Sequence, residues 1–483
     1  MARTETFCKA ERLFKEVLEF VRQAGEEGQR IDQVERGLLA LLLKLGFELM
    51  EVLIGRCGDG DLGETIEREG QPLQRLSEPR QRRYVSIFGE HRFTQYVYAP
   101  RDGQKIEERP VDRQLGLPSG EFSYVVQDWL QRFCVKESFQ EASRSLATLL
   151  GLTVPVRTAE HMNQQLSAAA EEFRVSQPPP EPESEGELLV YANDCKGVPM
   201  RRPLEERVRR GPRRAKGEKA NQKKMACVGA AYSVARYVRS AEEILDETFR
   251  RERAPARPRP QNKRLWAEMT WAREGDPLNG KTRVFAQQAL DLRARDPKRQ
   301  KPVICLMDGE KALRSEQEEW LPRAVGVLDI WHVTERLWQA AYCFHAEQSP
   351  EAAQFVEDRL RALLQGKVGY VIGHFRRLLN GKALSGSARK TLRSTMNYFE
   401  NNREYMKYDE YLAAGYPIGS GVAEGACRHV VKDRMELTGM RWTEAGAQST
   451  LHLRAIYLND DWEAYLDYHI EKEQTALYGR AAA

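Results

Sequence analysis

The sequence has no apolar run long enough to cross a membrane. A membrane-spanning helix needs about 18 consecutive apolar residues, and no run of that length occurs in the 483 residues. The first twenty residues carry acidic side chains within their apolar periodicity and lack the apolar core of a secretion signal. We therefore expect a soluble protein of the cytoplasm.

Paired cysteines and nucleotide-binding loops are also missing. The eight cysteines occur singly, without a CxxC pair or histidines at zinc-binding spacing, which argues against a disulfide framework and a structural zinc site. The glycines near 419–425 do not form GxGxxG, and no lysine follows them as in a phosphate-binding loop. Charged side chains remain as the candidate functional groups.

Basic residues are concentrated locally, although the net charge is only +4. Residues 201–224 contain eleven Lys or Arg against three Glu, and 250–264 is a second basic, proline-rich run. Such charge density neutralises phosphates. A solvated loop that binds nothing is the alternative, but the position beside an expected catalytic strand favours DNA. The candidate DNA-contacting residues here are Lys196, Arg201, Arg202, Arg209, Arg210, Arg213 and Arg214.

The N-terminal part contains helical and strand patterns. Apolar residues recur at helical spacing in 5–24 and 33–55. Residues 82–112 alternate between apolar and polar side chains, with a turn signal at Phe88-Gly89, and predict a small β-hairpin unit.

Two further helices follow at a short spacing. An amphipathic pattern in 138–150 stops at Gly151, and a second helical pattern starts near Arg157. This arrangement fits a helix-turn-helix DNA reader, with Arg157, Thr158 and His161 at the start of the recognition helix. A plain pair of packed helices fits equally, because the second helix carries few basic residues.

The length suffices for two or three domains, and composition changes mark the boundaries. A segment rich in Pro, Glu and Ser predicts a linker. The predicted divisions are an N-terminal helical region 1–65, a β-hairpin unit 66–125, a helix-turn-helix-like DNA-binding region 126–175, the linker 176–187, a catalytic core 188–334, a helical insertion 335–415, a second core part 416–465 and a tail 466–483.

Three apolar runs of strand length each lead into an aspartate. They end at Asp194, Asp308 and Asp329, and His332 follows the last one. A carboxylate at the end of a buried strand is held firmly while it faces solvent. Because the pattern occurs three times, we expect neighbouring strand ends in one mixed sheet of an α/β fold.

The segments between and after these runs complete the expected core. Residues 224–235 and 236–245 predict antiparallel strands, and 282–295 predicts a helix. Residues 335–412 are helical in pattern throughout. The helical stretch is expected to be an insertion between two parts of the core.

A glycine-containing segment then precedes a helix of about fifteen residues. Gly419, Ser420 and Gly421 are expected to let the backbone approach DNA or the sheet closely. Glu424 lies in the first turns of this helix. Further along the same helix, two cationic side chains are expected to contact backbone phosphates; these are Arg428 and Lys432.

Each acid has a simpler explanation. Asp194 and Asp308 fit the role of turn formers at strand ends. Glu424 fits an ion pair with Arg428 at i+4, worth about 0.3–0.5 kcal/mol. Taken together, however, two carboxylates on strand ends and one on a nearby helix can bridge two Mg²⁺ ions about 4 Å apart, the arrangement for in-line phosphoryl chemistry. Mn²⁺ is a possible substitute for Mg²⁺.

Four stretches resemble the DDE transposases of bacterial insertion sequences, specifically the ISKra family. They are 193–200, 305–322, 327–338 and 416–442, and the likeness covers most of 130–465. The resemblance implies a ribonuclease-H-like (retroviral-integrase-like) core with a helical insertion. It also implies a catalytic, metal-binding triad of Asp194, Asp308 and Glu424. Asp329-x-x-His332 matches the (C/D)xxH element of the related Mutator- and hAT-like groups.

One motif departs from the family pattern. This chain has Asp194-Cys195-Lys196-Gly197 where the family usually has Asp-Gly-Lys-Gly. A bulkier side chain at position 195 is expected to narrow the site beside the first ligand.

The implied function is DNA transposition: magnesium-dependent cleavage at the element ends and 3′-hydroxyl strand transfer into target DNA. His332 is expected to orient or protonate near the scissile phosphate, or to be a structural histidine. The expected partners are double-stranded DNA, namely terminal inverted repeats and target, and further copies in a homodimer or higher oligomer, in a bacterial cytoplasm close to the nucleoid. The alternatives are a catalytically degenerate, domesticated DNA-binding protein and a ribonuclease-H-like nuclease without strand transfer.

Overall fold

A computed structural model describes most of the chain. The chain divides into two compact units. The described residues are 7–68, 70–201, 223–251, 257–270, 278–381, 384–419, 421–437 and 439–479. The first unit comprises Met1–Leu166 with Glu463–Ala483, and the second, here called the sheet unit, is Ser167–Trp462. Among the described helices, none combines the length and apolar character that a bilayer crossing needs.

The first unit combines helices with short strands. Its strands are β1 Thr65–Arg68, β2 Gln71–Arg75, β3 Arg80–Ser86, β4 Gly89–Gln95 and β5 Tyr98–Ala99. Its helices are Cys8–Glu26, Ile31–Arg56, Pro110–Leu115, Tyr124–Cys134, Phe139–Leu150, Val156–Ser167 and, from the C-terminal end, Trp462–Tyr478. Strands β3 and β4 form the expected antiparallel hairpin, which turns at Ser86↔Gly89.

The two helices of the expected DNA reader are present. The helix Phe139–Leu150 begins with a capping box in which Ser138 and Glu141 satisfy each other's backbone N–H groups. It ends at Gly151, whose φ of 70° is the left-handed conformation that glycine adopts without strain. The helix Val156–Ser167 follows after a short connection. These end signals explain why the sequence located both helices.

The sheet unit is built on a five-stranded mixed sheet, as expected for an α/β fold. Its strands are β6 Leu188–Pro199, β7 Lys223–Val234, β8 Gln261–Met269, β9 Val303–Met307 and β10 Val325–Leu328. In space their order is β10-β9-β6-β7-β8. Strands β6, β7 and β8 are antiparallel neighbours, whereas β9 and β10 run parallel to β6.

One predicted strand is wrong. Part of 236–245 belongs to the helix Ala241–Thr248, where Ser240 and Glu243 form a capping box. The third antiparallel strand is instead β8, which begins inside the second basic run and was not predicted. The Ser-x-x-Glu signature of the capping box was visible in the sequence, but the apolar residues beside it suggested a strand.

The end of one predicted strand also needs correction. Asp194 does not terminate β6, because pairing with β7 continues to Pro199. Only the parallel pairing with β9 stops at this point, after Asn193↔Met307. Asp194 therefore lies inside a strand, at the place where one of its two neighbours ends.

Part of the segment predicted as a linker packs on the sheet unit. Glu185 and Arg295 are both fully buried and their side chains are joined at 2.5 Å. The Asn262 side chain donates hydrogen bonds to the Ser184 carbonyl and hydroxyl oxygens at 3.0 and 2.9 Å. These contacts hold the C-terminal half of the segment beside β8.

Each face of the sheet is covered by helices. On one face, Leu189, Tyr191 and Cys305 pack with the helices Gly280–Arg295 and Lys311–Trp320. On the other face, apolar side chains of β6, β9 and β10 pack with a helical layer. The helices of that layer are Ala241–Thr248, Ile330–Ala341, Pro350–Leu364, Val368–Gly381, Gly386–Asn401 and Tyr408–Ala413. Most of them lie in 335–412, which confirms the helical prediction.

The helices Gly421–Ala426 and Glu444–Leu458 complete the unit, together with short helical segments at Ala170–Ser176 and Asp433–Met435.

A buried pair of amides fixes β6 beside the helix Gly280–Arg295. Asn193 Nδ2 donates to Gln288 Oε1 at 3.1 Å, and Gln288 Nε2 donates to Asn193 Oδ1 at 3.0 Å. Both side chains are buried, so neither has water as a substitute partner. The pair holds the backbone immediately before Asp194.

We expect Asn193→Ala to lower the free energy of unfolding by about 1–3 kcal/mol, because the Gln288 amide loses its partner in a buried site. Gln288→Ala should cost a similar amount, and the double variant should cost less than the sum of the two. Urea denaturation of the three variants measures this coupling. Additive losses would show that the amides act independently.

Candidate active site

Asp194 and Asp308 lie side by side on neighbouring parallel strands. The last register pair of β6 and β9 is Asn193↔Met307, and each aspartate is the next residue along its strand. Burial raises the pKa of Asp308, the Glu310 N–H group lowers it, and the negative charge of Asp194 raises it further. Two neighbouring carboxylates repel each other when both are charged, and a divalent cation bound between them would remove this repulsion.

Both aspartates belong to the same face of the sheet as the Glu424 helix. Side chains alternate along a strand, and Ala192 and Leu306, two residues before each aspartate, share a core cluster with Ala423. Burial, and then the charge of Asp194, raise the pKa of the Cys427 thiol, so Cys427, three residues after Glu424, lies near Asp194. A spacing of three residues puts two helical side chains on neighbouring positions of one face. Glu424 is therefore one helical turn from a residue that lies near Asp194.

The Glu424 helix runs over residues 421–435 and changes its winding on the way. It is an α-helix over Gly421–Ala426, a π-helix over Cys427–Lys432 and an α-helix again over Asp433–Met435. This length agrees with the fifteen residues expected. The start near Val422 is also as expected, while Ser420 lies outside the described residues.

Glu424 is exposed, and the ion pair proposed as its simple explanation is not formed. Arg428 Nε lies 3.7 Å from Asp433 Oδ1, and no described ion pair within 4.0 Å joins Arg428 to Glu424. Glu424 is thus available for a ligand. The described carboxylates of Asp194, Asp308 and Glu424 do not converge within 4.8 Å of one another.

Two buried arginines hold the Glu424 helix in position, and sequence reasoning did not find them. Arg454 donates from Nε to the Val430 carbonyl at 2.7 Å and from its terminal nitrogen to the His429 carbonyl. These carbonyls lie within the π-helical turn, so the guanidinium satisfies them there. Burial lowers the pKa of Arg454 to about 10.

The second arginine, Arg434, is fully buried and stacks its guanidinium 4.8 Å from the centre of the Trp442 ring. Trp442 in turn pairs with the end of β6 through its backbone. Its backbone N–H donates to the Pro199 carbonyl oxygen at 3.0 Å, and the backbone N–H of Arg201 donates to the Trp442 carbonyl oxygen at 2.7 Å. The stacking and the strand contact together tie the end of the Glu424 helix to the strand that carries Asp194.

Asp329 has a structural role. It is buried and forms the N-cap of the helix Ile330–Ala341, with its Oδ1 accepting from Trp331 N–H at 2.8 Å. His332 lies in the first turn of this helix and is partly exposed, with its Nδ1 4.0 Å from Glu335. Its positive form would lower the pKa of Asp308. The two side chains are therefore near each other, and the role of His332 near the scissile phosphate stays a prediction.

Cys195 does not narrow the site. It lies directly opposite Cys227 across β6 and β7. Its side chain packs with the cluster on the face that carries the helix Gly280–Arg295. Asp194, one residue earlier, points to the opposite face. The departure from the family motif thus leaves the aspartate side unchanged.

The candidate DNA-contacting residues are only partly described. Lys196 is half-buried, and Arg201, Arg157, Arg428 and Lys432 are exposed. The π-helical turn moves Lys432 off the face that regular α-helical spacing from Glu424 assigns to it. Five predicted residues lie outside the described part of the chain, namely Arg202, Arg209, Arg210, Arg213 and Arg214.

Gly419 makes a close approach, as expected for the glycines of this segment. A Cβ atom at Gly419 would lie 2.8 Å from Trp331 Nε1. The backbone therefore rests on the indole, whereas at Gly421 a Cβ atom would meet open space. Only the first of these two glycines is required by packing.

A second group of potential metal ligands was not predicted. Glu171, Glu268 and His452 place one ligand atom each within 4.8 Å of one another. His452 Nε2 is 2.7 Å from Glu268 Oε1, and Arg174 lies 3.7 Å from the same carboxylate. The charge of Glu268 already has these partners, so we interpret the group as a buried ion-pair network. These three residues are far apart in the sequence, and nothing in the local pattern around each one indicates that they meet.

No protein-family model and no curated protein matches this chain. The functional assignment consequently depends on the residues and their geometry.

We expect Arg454→Met to lower the free energy of unfolding by about 2 kcal/mol, because the carbonyls of the π-helical turn lose their donor. Urea denaturation measures the loss. Arg293→Met is the matched control, since Arg293 is exposed and should change the stability by less than about 0.5 kcal/mol. Equal stabilities of Arg454→Met and the parent protein would show that the turn does not need the guanidinium.

We expect Asp308→Asn to raise the melting temperature by about 1–3 °C at pH 7.5 in EDTA. The pKa of Asp308 is raised, so the folded state loses stability as the pH rises from the unfolded pKa through the folded one. The asparagine does not ionise, and its advantage should disappear near pH 4. Thermal melts at both pH values test this, and an equal gain at pH 4 would contradict it. Adding Mg²⁺ at pH 7.5 should stabilise the parent protein more than the variant.

Proposed function

We propose that this chain is a DDE-type DNA transposase of an insertion sequence, resembling the ISKra family. One observation carries the proposal: the parallel register of β6 and β9 puts Asp194 beside Asp308 on the face against which the Glu424 helix packs. Asp194 and Asp308 are thereby neighbours, and the helix that carries the third acid packs on the same face. If Asp194 and Asp308 were only turn formers, each at the end of its own strand, they would not need to be neighbours.

We also propose that the sheet unit has a ribonuclease-H-like fold. Three antiparallel strands followed by two parallel ones, in the order β8-β7-β6-β9-β10, support this assignment. The helices of 335–412 enter the chain between β10 and the Glu424 helix. This is the position of the helical insertion that the resemblance implies.

The donor set fits two Mg²⁺ ions, which Asp194, Asp308 and Glu424 would hold. When bound, such ions activate an attacking oxygen and the leaving 3′-oxygen in phosphoryl transfer. The raised pKa of Asp308 fits this role, because a neighbouring cation removes the repulsion between the two aspartates. His332 is partly exposed and near Asp308, and we propose that it orients or protonates near the scissile phosphate.

The DNA would be held by cations around the triad. Lys196 follows Asp194 closely, and Arg428 is 71% exposed on the Glu424 helix. Exposed Lys and Arg neutralise phosphates without reading sequence. Because transposition joins two element ends, we propose that the active form is a dimer or a higher oligomer.

The test is strand transfer of the element's own ends into plasmid DNA. We expect Asp194→Asn and Glu424→Gln each to reduce the Mg²⁺-dependent product more than about 100-fold, since loss of a metal ligand exceeds the 10–100-fold effect of outer-shell changes. Mn²⁺ should replace Mg²⁺. Glu351→Gln removes an exposed carboxylate elsewhere in the unit and should keep full activity.

Other outcomes identify other functions. Hydrolysis without branched strand-transfer products would indicate a ribonuclease-H-like nuclease. Salt-sensitive binding of the ends with no cleavage in any divalent ion would indicate a domesticated DNA-binding protein. Full strand transfer by Asp194→Asn would remove the triad assignment.

A further inference from the structure

A cavity of about 440 Å³ lies beside the Glu424 helix. Its walls include the end of β7, the segment before the helix and the first turn of the helix Ile330–Ala341. Gly421 and Val422 in its wall belong to the first turn of the Glu424 helix, and Trp331 is the neighbour of His332. The cavity therefore adjoins two elements that carry candidate catalytic side chains, and its volume is that of a pocket for a small ligand or a ligand group.

One side of the cavity is apolar and aromatic. Tyr232, Ile330 and Ile418 are buried members of the core cluster that line it. Trp331 is 40% exposed, and the close approach of Gly419 to its indole holds the ring in place. An exposed and fixed indole offers a flat surface on which another aromatic ring can stack.

The other side of the cavity is cationic. Among the described lining residues, three arginines stand against one glutamate, Glu247, which pairs with Arg257. Arg239 is half-buried, and its Nε is shielded from solvent without a hydrogen-bond partner in the described structure. Burial and then the charge of Arg257 lower the pKa of Arg239. A cation in this position is stabilised when an anion enters the cavity.

The guanidinium of Arg239 is also held at a fixed place. It lies 5.5 Å from the centre of the Tyr237 ring, and the Tyr237 N–H donates to the Gly415 carbonyl at 3.1 Å. The cavity thus combines a stacking surface with a positioned anion site. An apolar ligand would leave the arginine without an anion, and a base stacked inside a duplex has no free face to offer to the indole.

We propose that this cavity binds one unpaired nucleotide of a DNA strand, with its base on Trp331 and its phosphate at Arg239. The inference deepens the proposed function, because it names how the same site would grip its substrate next to the scissile bond. Proteins bind single-stranded DNA by stacking its bases on aromatic side chains and by placing positive charge along its backbone. The nucleotide belongs to a strand and is not a free metabolite.

The experiment measures fluorescence anisotropy of the full chain with labelled oligothymidylate of about 20 nucleotides and with a duplex of the same length, both in EDTA. We expect Arg239→Gln and Trp331→Ala each to weaken binding of the single strand about tenfold. The affinity for the duplex should change less than about twofold. Trp331→Phe should retain most of the single-strand affinity, because it keeps an aromatic face.

Arg293→Gln is the matched control, since it removes the same charge from the helix packed on the opposite face of the sheet. It should weaken both DNAs equally and slightly. If Arg239→Gln also weakens both DNAs equally, the effect is general electrostatics and the proposal is overturned. Competition by free thymidine monophosphate far below millimolar concentration would also overturn it, by indicating a small-molecule site.

Thermal melts identify a variant that has lost its fold. In that case Arg239→Lys, which keeps the charge but loses the planar fork, should give an affinity for the single strand between those of the parent protein and the Trp331→Ala variant, and unchanged affinity would overturn the proposal. Because the assay contains no divalent ion, its outcome is independent of strand transfer. If the protein binds the single strand selectively but catalyses no strand transfer, the proposed function is wrong and the nucleotide site still stands.

Discussion

The pairing of β6 with two unlike neighbours determines the geometry of the candidate site. Strand β7 pairs with β6 along its whole length, while β9 pairs with it only as far as Asn193. The backbone of Asp194 is consequently paired with β7 on one side and has no strand partner on the other, where β9 has ended. Asp308, the residue after β9, lies on that second side. The pKa of Asp308 is raised first by its burial and further by the negative charge of Asp194.

The position of the Glu424 helix is also fixed by β6, although the helix begins more than two hundred residues after the strand ends. Trp442 hydrogen bonds with the end of β6, and Arg434 packs on Trp442. Arg454 supplies the donors for a turn that is wider than an α-helix. These contacts hold the helix within its π-helical turn and just after it. The cavity lies at the other end of the helix, where Gly421 and Val422 line it.

The sequence predicted the parts of the site that local patterns determine. Apolar runs ending in aspartate located β9 and β10 and the start of the site on β6, and glycines with a following helical pattern located Glu424. The strand β8 was missed because its first residues belong to a basic run that resembles a loop. The arginines at 434 and 454 were missed because arginine is rarely buried unless paired, and their partners are a tryptophan ring and backbone carbonyls rather than carboxylates. A π-helical turn has no periodicity of its own in the sequence.

The strand order has a consequence for synthesis. The side chains of Asn193 and Cys305, which are in contact across β6 and β9, are 112 residues apart, and the Glu424 helix comes later still. While the nascent chain is on the ribosome, the antiparallel strands can form first, but β6 waits for its parallel partner. The Glu424 helix can join the two aspartates only after residue 435 has emerged, late in synthesis. A truncated translation product ending between residues 308 and 424 would carry both aspartates and lack the third acid.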